Sequence, residues 1–248
     1  MEEPSEEKPI VITEDLLDQR VDFEKDISLV PRVSVFLIAA NAIAFLLELA
    51  KGVLDDAGSL VAFGALEARA VQAGEWWRLV SASYLHGSLD HLLGNLVALY
   101  ILGVACEHAF GRLQFVLLYC VSGLCGSLAS FAALDAGIPA VGASGAIFGL
   151  MGAAIWVLLK NSRRLLVRDK RIGVVLACWA GYSLLLGMTT PFVDNAAHAG
   201  GLAGGLLVGS QLAPQVLHRD RPLSRVAVVC AALAVLVSVS ALLVWFWH

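Results

Sequence analysis

Residues 195–209 read NAAHAGGLAGGLLVG, and residues 142–149 read GASGAIFG. Both stretches are apolar and rich in glycine, and each contains one residue capable of chemistry: His198 in the first and Ser144 in the second. Inside a membrane a polar side chain is costly unless it faces other protein groups or a wet cavity. The two stretches therefore predict a nucleophile and its base, provided that the fold brings them together.

The composition predicts a membrane protein. Hydrophobic residues make up 58% of the 248 residues and charged residues only 15%, and the mean hydropathy is +0.78, far from the values of a soluble domain. Spanning helices need about 20 apolar residues each. Seven stretches approach this length, at 33–50, 90–107, 113–134, 144–160, 172–189, 194–213 and 226–247. We predict an all-α, polytopic membrane helix bundle.

The basic residues predict how the bundle is oriented. If the N-terminus is cytoplasmic, only Lys51, Arg69 and Arg78 of the 17 basic residues lie on the external side, which is the bias of the positive-inside rule. An odd number of spans then leaves His248 outside. The N-terminal residues 1–32 are acidic and lack an early apolar core, so neither a secretory signal nor an Arg-rich organelle leader is expected. A bacterial plasma membrane fits these features.

The segments outside the spans are expected to lie in different places relative to the membrane. Residues 1–32 are an acidic cytoplasmic tail, in which ITEDLLDQRVDFEKDISL (12–29) allows either a short amphipathic helix or disorder. Residues 53–89 form an external loop lying in the membrane interface, with Trp76 and Trp77 at headgroup level and Arg78 reaching a phosphate or a loop carbonyl. Residues 214–225 are a cytoplasmic linker to the seventh span, 226–248.

The sequence gives no sign of a metal site or cofactor. His86, His91 and Glu107 are spread over more than three helical turns and lack the HExxH arrangement. The cysteines lack the close Cys/His spacing of metal sites, and we expect all five to be small core residues: Cys106, Cys120, Cys125, Cys178 and Cys230. No feature indicates a nucleic-acid partner.

The second span opens with LHGSLDHLLGN (85–95), which places His86, His91 and Asn95 near its external end. His91 and Asn95 are four residues apart and therefore share one helix face. Their imidazole and carboxamide N–H groups are suitable donors to an oxyanion. We expect these side chains to line one polar cavity together with Ser144 and His198.

Small residues predict how the two glycine-rich spans pack. Gly201, Gly205 and Gly209 lie within about 60° of the direction of His198 on its helix. The fourth span has small residues of its own beside Ser144, namely Gly145, Gly149, Gly152 and Ala153. Such faces let helix backbones touch. Packing alone explains the glycines, and Ser144 alone can be explained as a helix cap, but neither explains a histidine above a glycine stripe.

Taken together, these residues resemble the rhomboid family of intramembrane serine proteases. The resemblance covers about residues 64–209, in which the matching motifs are Trp77–Arg78, the His86, His91 and Asn95 series, the Gly103, Glu107 and Gly111 run, GASG at 142–145 and AHAGG around His198.

The resemblance implies a six-helix catalytic core over residues 33–213 with an appended seventh helix. It implies a Ser144–His198 dyad that cleaves single-pass or polytopic membrane proteins in or near their transmembrane segments. The oxyanion hole would comprise His91, Asn95 and the Ser144 backbone N–H. Supporting positions are His86, Phe148, Gly142 and Gly145, and structural ones are Trp77, Arg78, Glu107, Gly201 and Gly205.

The chain departs from the family pattern at two places. Phe148 stands where members often have a tyrosine that packs on the catalytic imidazole, and a phenyl ring keeps that stacking. His108 and Ala109 follow Glu107, where an arginine two positions on is frequent. Asp194 precedes His198 by one turn, but we expect it to be a solvated loop carboxylate and not a third catalytic residue.

Other functional classes remain open at this stage. A catalytically inactive rhomboid-like protein that binds client helices would not need Ser144 and His198. A transporter would show internal repeats, which the sequence lacks, and a soluble lipase would need the last glycine of GxSxG. For a protease, lateral substrate entry would involve the fifth span, with the loop Thr189–Asn195 as a mobile cap.

Overall fold

The computed structural model describes residues 20–133, 137–190, 193–218 and 225–247, the last range without the side chains of residues 225–229 and 231. The described residues form helices and no β-strand, which confirms the predicted all-α class. The helices are α1 (Arg32–Ala50), α2 (Ala57–Phe63), α3 (Ala68–Gln72), α4 (Arg78–Ser81), α5 (Leu89–Ala133), α6 (Ser144–Lys160), α7 (Val167–Gly187), α8 (Asn195–Gln211) and α9 (Arg225–Trp247).

The long helices coincide with the predicted spans. Helix α5 contains both the second and the third, because Gly111, with φ 73° and ψ 164°, bends the chain between residues 89–110 and 112–133. Helix α7 begins at Val167, five residues before the predicted start at 172, since its basic residues occupy the first helical turns instead of a loop.

Length and composition qualify three described helices to cross a membrane: α1, α5 and α7. Ser144–Lys160 and Ala232–Trp247 are shorter apolar helices. The chain is thus an integral membrane protein. The count of seven spans stays a prediction, as do the predicted domain boundaries.

Helix α6 lies at the centre of the bundle, packed between α5 and α8. Its Leu150, Ala153 and Val157 are fully buried and join Leu118 and Phe110 of α5 in one core. Between membrane helices, close van der Waals packing supplies the stability that water exclusion supplies elsewhere. The helix that begins with Ser144 is therefore held on several sides.

Glycines set the separation of α6 and α8. A Cβ atom at Gly201 would overlap the Gly145 carbonyl, one at Gly205 would overlap the Gly149 carbonyl, and Gly209 faces Ala153. The small residues predicted from the sequence are therefore the ones in contact. Because the backbones touch, side chains at the first turns of both helices are brought within reach of each other.

The segments that connect the helices lie at two opposite ends of the bundle. At one end, Val21 N donates to Arg164 O, and Val216 N donates to Ala109 O, so residues 20–26, the Gly111 bend, the loop 161–166 and residues 212–218 meet. At the opposite end, Leu66 and Ala140 exchange backbone hydrogen bonds, and Asn195 Nδ2 donates to Leu184 O. Ser144 and His198 belong to this second end.

The end of the acidic tail is packed against the bundle, unlike the free arm expected from the sequence. Phe23 is buried with its ring edge-on to His108, and its N–H donates to the buried Asp169 carboxylate. Arg168 pairs with Asp22 at 2.6 Å. Residues 20–26 thus form turns and no amphipathic helix, whereas residues 12–19 lie outside the described part of the chain.

Glu107 joins the start of α1 to α5. Its carboxylate accepts hydrogen bonds from the backbone N–H groups of Val33 and Ser34 and from the Ser34 hydroxyl. These N–H groups have no acceptor within their own helix. Gly103, one turn before Glu107, leaves room for the Ser34 side chain, so the Gly103, Glu107 and Gly111 run seats the first helix and turns the chain.

The expectation that all five cysteines are core residues is wrong for two of them. Cys106 is buried and Cys120 and Cys125 are half-buried, but Cys178 of α7 and Cys230 of α9 are exposed, the latter beside a cavity between α9 and α5. In a membrane, a small weakly polar side chain is tolerated on the lipid-facing surface.

Alanine at the helix contact should separate α6 from α8. For Gly201→Ala and Gly205→Ala we expect an unfolding temperature in detergent lower by about 5 °C or more, because overpacking costs about 1–3 kcal/mol. Gly181→Ala is the matched control, since a Cβ atom there meets nothing within 4 Å. Equal unfolding temperatures for all three variants would contradict the packing described here.

Candidate active site

Ser144 is the first residue of α6 and follows a loop held open by a glycine. Gly142 has φ 125°, a left-handed conformation that suits glycine, and its N–H donates to Ala82 O. The helix is capped at Ala143 without a side-chain hydrogen bond. The capping explanation for Ser144 therefore fails, and its hydroxyl is available for another partner.

His198 lies in the first turn of α8. Asp194 is the N-cap residue of this helix, and its carboxylate accepts hydrogen bonds from Ala197 N and from the Ser130 hydroxyl. It is thus a helix cap and not the solvated loop carboxylate expected from the sequence. No hydrogen-bond acceptor for His198 Nδ1 is present among the described residues.

The structure brings the two predicted side chains together. Ser144 Oγ lies 2.9 Å from His198 Nε2, and both residues are half-buried. The ring of Phe148, one turn after Ser144, stacks on the imidazole with centroids 4.2 Å apart and planes 10° apart. The phenyl ring thus holds the imidazole in the plane in which Nε2 meets the hydroxyl.

The polar residues of α5 lie beside this pair. His91 and Asn95 face the turn before Ser144: a Cβ atom at Gly142 would be 2.8 Å from His91 Nε2 and 3.4 Å from Asn95 Nδ2. His86 is fully buried, and its Nε2 lies 3.0 Å from Asn95 Nδ2. The rings of His86 and His91 are in edge contact at 5.1 Å.

Backbone N–H groups complete the polar surroundings of the hydroxyl. The first N–H groups of a helix have no intrahelical acceptor, and here they belong to Ser144 and its neighbours. The helix dipole adds a partial positive charge at the same place. The site thus offers a hydroxyl, a base and several donors suited to a developing oxyanion.

The loop 53–88 braces the chain that leads into the site. Glu67 accepts a hydrogen bond from Gly137 N at 2.9 Å and caps α3 through Ala70 N. These bonds, the one from Gly137 first, lower the pKa of the Glu67 carboxyl. The loop 137–143 is thus tied to the loop 53–88 by side-chain as well as backbone contacts.

Trp77 and Arg78 have interior roles in that loop. Trp77 is buried with Ala65, Leu85 and Trp245, so its predicted place at headgroup level is wrong, whereas Trp76 is exposed. Arg78 donates to the carbonyls of Val61 and Ala65. Of the two partners predicted for it, a lipid phosphate or a loop carbonyl, it binds the carbonyl. The pair folds the loop onto α9 instead of anchoring it to lipid.

Sequence reasoning missed one buried carboxylate next to the site. Glu48 of α1 is fully buried and accepts the His86 backbone N–H, with its two oxygens 3.0 and 3.3 Å from the nitrogen. A glutamate within an apolar span was the available signal. Among the described residues, no group of three or more His, Cys, Asp or Glu side chains is placed to hold a metal ion.

Comparisons with known proteins identify a family to which the sequence is similar. Residues 73–215, more than half of the chain, match the family model described as the Rhomboid domain. The chain is 37% identical over 73% of its length to rhomboid protease GluP of Bacillus subtilis, covering 35% of that protein. It is 40% identical over 59% of its length to RHOMBOID-like protein 5 of Arabidopsis thaliana, covering 47% of it.

A shorter relative is matched more completely. The YdcA protein of Bacillus subtilis is 32% identical, with 56% of this chain and 68% of that protein aligned. The chain spans a third to a half of the length of GluP and of the Arabidopsis relative. The family model covers His86, His91, Asn95, Ser144 and His198. The chain belongs to the rhomboid family.

Proposed function

We propose that the protein is an intramembrane serine endopeptidase that hydrolyses peptide bonds in or near the transmembrane segments of membrane proteins. The observation that carries the proposal is the 2.9 Å separation of Ser144 Oγ and His198 Nε2. A hydroxyl beside an imidazole is the arrangement of an activated nucleophile. Relatives named as rhomboid proteases support the same reaction class.

The chemistry is acyl transfer in two steps. His198 Nε2 takes the Ser144 hydroxyl proton as Oγ attacks the peptide carbonyl carbon, and it then gives that proton to the leaving amine as the C–N bond breaks. Water next attacks the acyl-enzyme: His198 removes a proton from the water and returns one to Ser144 Oγ. For the first transfer Nε2 must be an acceptor, so the resting ring carries its proton on Nδ1.

The negative charge on the carbonyl oxygen is stabilised by the donors around Ser144. The Asn95 amide and the His91 ring face the turn 142–144. Together with the Ser144 backbone N–H, they form the proposed oxyanion hole. Each well-placed donor contributes about 2.7–4 kcal/mol to such a transition state. His86 is fully buried, and its role is to hold Asn95.

Water must reach this site, so we place it at the external face of the membrane. The dyad lies at the end of the bundle opposite the basic segment 161–171, which holds five Lys and Arg residues, and the positive-inside rule assigns that segment to the cytoplasm. We accordingly propose a cytoplasmic N-terminus and an external C-terminus in a bacterial plasma membrane.

Substrate helices are proposed to enter beside α7. This helix packs mainly on α6, and much of its outer face is exposed, including Val175, Trp179, Tyr182 and Leu185. The loop Thr189–Asn195 is the proposed mobile cap; its residues 191 and 192 lie outside the described part of the chain. The substrate must unwind locally, because helical peptide carbonyls are hydrogen-bonded.

A fluorophosphonate probe should react with the purified protein at Ser144. We expect labelling of the wild type, and no detectable labelling of Ser144→Ala or His198→Ala, since one removes the nucleophile and the other its base. The measurement is in-gel fluorescence at matched folded concentration. An unlabelled wild type would favour an inactive client-binding protein, and labelling that survives Ser144→Ala would place the nucleophile elsewhere.

Phe148 should affect reactivity through the imidazole alone. We expect Phe148→Tyr to label at about the wild-type rate and Phe148→Ala to label about three- to tenfold more slowly, since ring stacking contributes about 0.5–1.5 kcal/mol. Ile147→Ala is the control, because Ile147 is buried next to Phe148 on the same helix. An equal loss of labelling in the control would assign the effect to packing and not to stacking.

Fixing the cap loop should stop the cleavage of membrane substrates without blocking the dyad. Gly187 is the last residue of α7 and Asn195 is the first residue of α8. A Cβ atom at Gly187 would lie 2.9 Å from Asn195 Cγ. We expect a Gly187→Cys, Asn195→Cys disulfide, in an active background without the native cysteines, to abolish cleavage of a reconstituted transmembrane substrate while fluorophosphonate labelling persists. Reduction should restore cleavage. Unchanged cleavage by the oxidised protein would exclude this route of entry.

A further inference from the structure

Helix α1 buries three polar residues on the side that faces α5. Ser34, Asn41 and Glu48 are spaced seven residues apart and are all fully buried. Ser34 bonds to Glu107 at one end of the bundle, and Asn41 Nδ2 bonds to Leu37 O within its own helix. Glu48 alone contacts the segment that leads into the proposed active site.

A buried carboxylate in an apolar bundle is costly unless hydrogen bonds compensate for the lost solvation. The donor that Glu48 meets is the backbone N–H of His86, to which both carboxylate oxygens point. A buried N–H group that loses its acceptor is costly, because no water can replace the lost partner. The contact therefore fixes the backbone of His86 relative to α1, across 38 residues of sequence.

The side chain of His86 in turn contacts Asn95. An amide nitrogen can only donate, so Asn95 Nδ2 donates to His86 Nε2 at 3.0 Å. The His86 ring proton then lies on Nδ1. With one hydrogen directed at His86, the second hydrogen of Asn95 Nδ2 is left for the turn at Gly142.

We propose that Glu48 is a positioning residue of the active site: it fixes His86, and through His86 it orients the Asn95 amide as an oxyanion donor. The inference rests on the proposed serine-hydrolase function. It assigns to α1, which carries neither member of the dyad, a role in the reaction. It also explains why this end of α1 has a carboxylate in place of an apolar residue.

The test uses fluorophosphonate inactivation of the full chain, whose saturating rate constant (kinact) reports oxyanion stabilisation and whose half-saturation concentration (KI) reports probe binding. For Glu48→Leu we expect kinact to fall about 100-fold, the loss typical of one oxyanion donor, with KI changed by less than about threefold. Asn95→Ala should lose about as much. Wild-type labelling is measured first, so failure of the proposed function is seen separately.

The double variant distinguishes positioning from general destabilisation. If Glu48 acts through Asn95, Glu48→Leu combined with Asn95→Ala should label within about twofold of Asn95→Ala alone, because the two changes remove the same interaction. Independent effects would multiply to about 10⁴-fold. Asn41→Leu is the control: it removes a buried polar group from the same face of α1, and we expect a lower unfolding temperature with kinact within about twofold of wild type.

If Glu48→Leu does not fold, Glu48→Gln replaces it in the same cycle. The amide keeps the shape but only one of the two oxygens that face the His86 N–H, and we expect kinact to fall about five- to tenfold, again without a further loss in the Asn95→Ala background. Wild-type kinact for every folded Glu48 variant, or losses that multiply with that of Asn95→Ala, would overturn the proposal.

Discussion

The close approach of α6 and α8 is the contact on which the site depends. Gly201 and Gly205 of α8 meet the carbonyls of Gly145 and Gly149 of α6, and a Cβ atom at either α8 glycine would overlap those carbonyls. The catalytic chemistry needs a hydroxyl and an imidazole at hydrogen-bond distance, which two ordinary helices 8–10 Å apart do not ensure. The glycine contact brings Ser144 and His198 to 2.9 Å.

The remaining parts of the fold keep this contact in one geometry. Glu67 and Leu66 of the loop 53–88 hold the chain before Ser144, and Asp194 caps the helix that contains His198. Phe148 fixes the plane of the imidazole. At the opposite end, Glu107 caps the first helix. Rigid support of this kind is what a preorganised site requires.

Much of the fold was accessible from the sequence because hydropathy and small-residue spacing are local properties. Helix α6 begins and ends where its pattern predicts, and the glycines at 201, 205 and 209 face the small residues expected of them. His91, Asn95, Ser144 and His198 share the site because the order of the spans forces their ends to one side of the membrane.

What could not be predicted depends on pairs that are distant in sequence. The Phe23 N–H donates to Asp169 in the first turn of α7, across 146 residues, and nothing in the acidic tail indicates that partner. Trp77 was assigned to the interface because the appended α9, which covers it, left no signal in the loop sequence. Glu48 likewise depends on a distant partner. Its position in an apolar span can be read from the sequence, but its contact with the backbone N–H of His86 can be seen only in the structure.

The most direct test of the central claim is an experimental structure of the protein inactivated by a fluorophosphonate in a lipid bilayer. We expect phosphorus bonded to Ser144 Oγ, its oxygen within hydrogen-bond distance of the Ser144 N–H and the Asn95 amide, and the His198 ring next to the adduct. An adduct on another residue, or Ser144 and His198 separated by a full helix diameter, would contradict the account.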